Sequence, residues 1–142
     1  MEWYRKGTEQ GNFVAQIHLG RMYEKGWGVD KNYSTAVEWY RKAAENGNTY
    51  AQFMLGEMYF HGRGVDKNYA TAVQCYREAV EQGYDGAQFN LGMMYENGWG
   101  VIKNNSIAVF WIRKAADEDN TDAQNYLDRL TSSSSDTDSE EE

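Results

Sequence analysis

Apolar residues in this chain recur at helical spacing, and the pattern itself recurs every 36 residues. Ala15, Leu19, Met22 and Tyr23 fall at i, i+4, i+7 and i+8, one stripe of an amphipathic helix. Ala36, Trp39, Tyr40, Ala43 and Ala44 draw a second stripe of the same kind. Adding 36 to these positions returns Ala51, Leu55, Met58 and Tyr59, then Ala72, Cys75, Tyr76 and Ala79. Adding 36 again returns Ala87, Leu91, Met94 and Tyr95, then Ala108, Trp111, Ile112, Ala115 and Ala116. A fixed period of this length predicts stacked helix pairs.

Between the two stripes stands a Gly-x-Gly-Val loop: Gly26 to Val29, Gly62 to Val65 and Gly98 to Val101. The first glycine suits a left-handed helix cap. Asn32, Asn68 and Asn104 precede the second stripe and suit an N-cap, since asparagine accepts a free backbone N–H of the first turn. Gly20, Gly56 and Gly92 sit inside the first stripe. A mid-helix glycine costs about 1 kcal/mol relative to alanine, so its recurrence predicts a close crossing by the second helix. The second helix ends at Gly47 and Gly83. Asp119 takes that place in the third unit, and strain is expected there.

The phrase Ala-x-x-x-Leu-Gly-x-x-Tyr-x-x-Gly-x-Gly-Val, followed by Ala-x-x-Trp-Tyr-x-x-Ala-Ala-x-x-Gly, resembles the Sel-1-like repeat of the tetratricopeptide-like group. The resemblance implies an all-α solenoid, a right-handed superhelix of about 3.5 helix-turn-helix repeats of 36 residues. The expected organisation is a repeat array over 1–130. It comprises a partial repeat 1–12, repeats 13–48, 49–84 and 85–120, and a terminal helix 121–130. The chain departs from the family pattern at several points. Asn replaces the usual acid at the start of the second helix, Cys75 stands where Trp39 and Trp111 stand, and Gly7 and Thr8 replace the paired alanines. Asp128 replaces the close-packing glycine, as suits a last helix.

Charge separates the tail from this array. The 142 residues carry a net charge of −8. Residues 131–142 hold Asp136, Asp138, Glu140, Glu141 and Glu142 and no base, which leaves 14 basic against 17 acidic groups elsewhere. No basic stripe offers itself to nucleic acid. The tail contains only Ser, Thr, Asp and Glu and is expected to be disordered. Ser133, Ser135, Thr137 and Ser139 each precede an acid by three residues, a pattern suited to an acidophilic kinase. A solubilising tail is the plainer reading.

Signatures of chemistry are scarce. Gly26-Trp27-Gly28 and its copies lack the third glycine of a dinucleotide loop. His18 and His61 are far apart, no Cys/His cluster suggests a metal, and no cofactor is expected. Cys75 occupies a core slot and reads as a buried, inert thiol. Asn32-Tyr33-Ser34 and Asn104-Asn105-Ser106 match a glycosylation sequon, but these asparagines are needed as caps. No apolar run reaches the ~18–20 residues of a membrane span, and Met1-Glu2-Trp3-Tyr4 does not open a signal peptide. A cytoplasmic location is therefore expected, with no membrane or nucleic-acid partner.

The remaining candidate is an interaction surface. By the resemblance, the first helix of each pair lines a concave face. That face would carry Ile17, Arg21, Tyr50, Phe53, Glu57, Phe89, Met93 and Asn125, with Phe60 and Arg129 nearby. Helices packed ~8–10 Å apart make four of them about 30 Å wide. An extended peptide of roughly nine residues covers that distance. Phe53 and Phe89 are equally compatible with packing between helices. Trp27 and Trp99 form a second candidate edge, interrupted by Arg63.

Three functional readings are open. The first is a non-enzymatic adaptor or scaffold that binds a protein or peptide segment. The resemblance also implies a second, because bacterial cysteine-rich members bind or hydrolyse β-lactams. They carry a disulfide pair in each repeat, whereas this chain has one cysteine. The third is a truncated piece of a longer array, in which Trp3 and Tyr4 leave an open N-terminal edge prone to self-association.

Overall fold

The computed structural model describes residues 13–140, with side chains for residues 14–130. Seven α-helices and one 3₁₀ turn make up these residues, and no strand occurs among them. They are α1 (Phe13–Lys25), α2 (Tyr33–Glu45), α3 (Thr49–His61), α4 (Tyr69–Glu81), α5 (Gln88–Asn97), α6 (Asn105–Asp117) and α7 (Thr121–Glu140). The 3₁₀ turn spans Asp85–Ala87. Two compact units divide the chain at Tyr84 and Asp85. In the first unit α1 packs on α2, α2 on α3 and α3 on α4; in the second α5 packs on α6 and α6 on α7.

The turns follow from the repeated loop residues. Gly62 and Gly98 close their helices in the left-handed region at φ 68°, and Gly26 takes φ 72° at the same place after α1. The N–H of each capping asparagine then reaches back to a tyrosine carbonyl of the preceding helix. The distances are 2.8 Å for Asn32 to Tyr23, 2.9 Å for Asn68 to Tyr59 and 3.0 Å for Asn104 to Tyr95. The asparagine side chains accept from the N–H of Thr35, Thr71 and Ile107 at 3.0–3.1 Å. One residue therefore ties both sides of the loop together.

The same device starts α3 and α7. Asn48 Oδ1 accepts from the N–H of Ala51 at 2.8 Å, and Asn120 Oδ1 from that of Ala123 at 2.9 Å. Tyr84 stands at the equivalent position of the third repeat and cannot cap. There the chain makes its 3₁₀ turn, and α5 begins without a side-chain cap.

The expected close crossing is present in all three pairs. A Cβ on Gly20 would lie 2.7 Å from Tyr40 Cε1, one on Gly56 2.7 Å from Tyr76 Cε1, and one on Gly92 2.6 Å from Ile112 Cγ1. These distances are too short for any real side chain, so glycine sets how deeply the aromatic or isoleucine knob seats. Around these knobs the core of the first unit includes Ala36, Val37, Tyr40, Leu55 and Met58, with Tyr76 and Ala72 buried as well. In the second it includes Ala108, Ile112, Ala115 and Ala123, with Leu91 and Met94 buried as well.

Two places refine the sequence reading. Asp119 adopts φ 69°, the only non-glycine with positive φ among the described residues; its counterparts Gly47 and Gly83 lie at 89° and 96°. The backbone of residues 131–140 is helical, as a continuation of α7, where an irregular tail was expected. Neither Gly nor Pro interrupts residues 121–140, so no strong helix breaker follows Leu130. Trp3 and Tyr4 lie outside the described residues.

Candidate functional site

In the first unit, α1 and α3 present their residues to a shared cavity of about 320 Å³. Arg21, Glu24 and Lys25 come from the last turns of α1, and Tyr50, Phe53, Met54, Glu57 and Met58 from α3. Arg63 enters from the Gly-x-Gly loop that follows. Four of the expected residues, Arg21, Tyr50, Phe53 and Glu57, are thus brought together. Ile17 is half-buried and does not line this cavity. It lies about two turns before Glu24, and the opening lies at the C-terminal end of α1.

The cavity floor is aromatic. Phe53 packs against Tyr84 at 5.1 Å, Tyr76 at 5.9 Å and Tyr50 at 6.3 Å between ring centroids, and Tyr50 meets Tyr84 edge-on at 5.9 Å. Phe53 is therefore both a cavity wall and a packing residue. Burial raises the Tyr84 hydroxyl above the ordinary phenol range, followed in weight by the nearby Tyr50 and Glu57.

Two carboxylates line the site, each held by a buried tyrosine of the following helix. Tyr40 donates to Glu24 Oε1 at 2.5 Å, and Tyr76 donates to Glu57 Oε1 at 2.6 Å. Lys25 lies 3.7 Å from Glu24 Oε2, and His61 lies 3.6 Å from Glu57 Oε2. Burial, then the bond to Glu24, pushes the Tyr40 hydroxyl far above its usual range. The two arginines face aromatic rings instead: Arg21 lies 5.4 Å from the Trp27 ring centre and Arg63 5.8 Å from that of Tyr33. Hydrogen bonding to Lys31 is the largest cause of a lowered Tyr33 hydroxyl.

The second unit offers a depression of different chemistry. Met93 of α5 and Tyr126, Arg129 and Leu130 of α7 surround a volume of about 530 Å³. Phe89 and Met93 also pack on the Ala108–Ile112 core. Leu130 stands one period after Met94 and two after Met58, both 1% exposed, yet it is itself 45% exposed. Burial, and then a bond to Glu96, raises the Tyr126 hydroxyl. Asn125 is exposed and lines nothing here.

Glu24, Arg63 and Tyr126 did not emerge from the sequence reading. Glu24 could have been found as the next turn beyond Arg21 on the same helix face. Arg63 was legible only as the residue breaking the Trp27–Trp99 series, because its reach depends on the loop's path. Trp27 is exposed beneath Arg21, and Trp99 is half-buried. On the outer face of α6, Phe110 is 58% exposed where Glu38 and Gln74 stand in the earlier repeats. The side chains of Ser133, Ser135, Thr137 and Ser139 lie outside those described. Among the described residues no cluster could hold a metal ion, and no helix is long and apolar enough to cross a membrane.

Comparison with known proteins gives this geometry a context. The family model described as the Sel1 repeat matches residues 1–12, 14–48, 49–84 and 86–120. A solved structure of a protective antigen present in uropathogenic Escherichia coli strains, displaying an SLR fold, is 40% identical with a TM-score of 0.90. The match covers 94% of this chain and 29% of that one. A Sel1 repeat protein from Oxalobacter formigenes is 42% identical with a TM-score of 0.84, over 89% of this chain and 52% of that one. Cysteine-rich protein B of Helicobacter pylori shares the fold at 24% identity and a TM-score of 0.67, over 87% and 93% of the two chains. The chain thus spans under a third of the first relative and about half of the second. No curated protein sequence matches it.

Proposed function

The chain belongs to the Sel1 repeat family, and on that premise we propose that it is a non-enzymatic interaction module that grips a protein segment on its first-helix faces. Proteins of this family are in general interaction modules. The observation that carries the reading is the cavity between α1 and α3, where Arg21, Tyr50, Phe53 and Glu57 converge on one opening. Aromatic walls with a few placed charges are the ordinary make-up of a peptide-binding cleft. The more apolar depression at Met93 and Leu130 is a second contact area, different in chemistry from the first. With a single cysteine the chain has no disulfide framework of the cysteine-rich type, and no feature of either unit favours the β-lactam reading.

The test is affinity capture followed by direct titration of any captured partner. Tyr50→Ser and Leu130→Ser are the informative variants, because Phe53 packs on the buried Tyr76, and Phe89 and Met93 pack on the core of the second unit. Equal helicity with at least about tenfold weaker binding supports the reading; tenfold corresponds to ~1.4 kcal/mol, within the range of one interface anchor. Unchanged affinity for a confirmed partner removes these faces from it.

A further inference from the structure

We propose that the α1–α3 cavity selects an acidic segment, seating an Asp or Glu carboxylate between Arg21 and Arg63 with a neighbouring apolar side chain on Tyr50 and Phe53. The inference rests on the interaction-module reading and adds the partner's chemistry.

The groups around the opening divide into satisfied and unsatisfied charges. Glu24 is only 7% exposed and already accepts from Tyr40, with Lys25 beside its second oxygen. Glu57 already accepts from Tyr76 and has His61 beside it. Both carboxylates are therefore provided for within the unit. The arginines are not: among the described residues neither Arg21 nor Arg63 has a carboxylate within 4 Å, and each guanidinium rests over a ring. A ligand that covers this opening strips water from two guanidiniums, which is costly unless an anion replaces it.

A carboxylate meets that demand with paired, charge-assisted hydrogen bonds, the geometry for which guanidinium is built. A cationic ligand would face Arg21, Lys25 and Arg63 together and could compete only for carboxylates already hydrogen-bonded. A polyanion such as nucleic acid fits poorly, since the repeat body holds 17 acidic against 14 basic groups and offers no long basic track. The volume of about 320 Å³ is at the low end for binding clefts, enough for a few side chains rather than a folded surface. An acidic residue next to a Leu, Phe or Tyr in an extended peptide uses both the arginines and the aromatic floor.

The experiment is selection of a displayed random nonapeptide library on immobilised protein comprising residues 1–142. Enriched peptides are then synthesised with a fluorescent label and titrated. The result expected is enrichment of Asp or Glu adjacent to an apolar residue. Affinity should fall about tenfold or more for Arg21→Gln/Arg63→Gln protein of unchanged helicity, and also on raising the salt from 50 to about 500 mM. Replacing the peptide's acid by its amide should produce the same loss on wild type and little further loss on the double variant. Enriched peptides without acids that are lost with Tyr50→Ser would overturn the acidic preference while leaving the interaction module standing. Acidic peptides that bind the double variant equally well overturn it too, because the arginines would then do nothing. Enrichment of no peptide at all counts against both readings.

Discussion

Tyr40 and Glu24, sixteen residues apart, form a buried hydrogen bond of 2.5 Å that joins the second helix of the first repeat to the last turn of its first helix. The tyrosine ring also fills the space left by Gly20. One side chain thus sets the depth of the helix crossing and holds a carboxylate at the edge of the candidate site. Tyr40→Phe keeps the ring and removes the hydroxyl. It leaves a buried carboxylate short of a donor, so a loss of about 1–3 kcal/mol in urea-unfolding stability is expected.

The same pair predicts an alkaline transition. Tyr40 has a raised folded-state pKa, so its hydroxyl stays protonated in the folded protein at pH values where the unfolded chain ionises. That stability is fully present below the unfolded value of about 10 and is lost as pH rises beyond it. Stability measured from pH 9 upward should fall more steeply for wild type than for Tyr40→Phe.

Gly56→Ala places a methyl group 2.7 Å from the Tyr76 ring, with Cys75 Cβ also at 3.3 Å. Tyr76 cannot retreat without giving up its bond to Glu57. Overpacking of this kind costs about 1–3 kcal/mol, despite the better helix propensity of alanine. Denaturant midpoints for wild type and variant check it, and an unchanged midpoint would show that the crossing can relax.

Asp119 holds φ 69° where the earlier repeats use glycine. A Cβ at Gly47 or Gly83 would meet no atom within 4 Å, so the difficulty at this turn is conformational rather than steric crowding by neighbours. Asp119→Gly should therefore stabilise the protein, by about 0.5–1 kcal/mol, less what glycine adds to the entropy of the unfolded chain. Thermal melts of the two proteins measure the difference.

Burial pushes the Cys75 thiol up to about 11, with nearby Glu78 adding to the shift. The thiolate is the reactive form, so alkylation by iodoacetamide should be slow at pH 8 and climb steeply above about pH 10. A rate at pH 8 equal to that of a free cysteine peptide would contradict this setting of the side chain.

The period of 36 determined where the helices and turns lie, because each repeat carries its own glycine, asparagine and apolar stripe in local order. Capping by Asn32, Asn68 and Asn104, the left-handed glycines and the crossing at Gly20, Gly56 and Gly92 depend on residues close in sequence or on one recurring helix pair. Helical phase, read through the family resemblance, grouped Arg21, Phe53, Glu57 and Met93 on the first helices of their pairs. It could not decide that Arg63 swings from its loop to the same opening, that Phe53 is shared between cavity and packing, or that Ile17 misses the site. Those outcomes depend on where the next helix returns and which side chains it brings, as when Tyr40 meets Glu24 and Tyr84 meets Phe53. Contacts of that range form only when separate helices pack, so tertiary structure alone decides which charges are already satisfied within the fold.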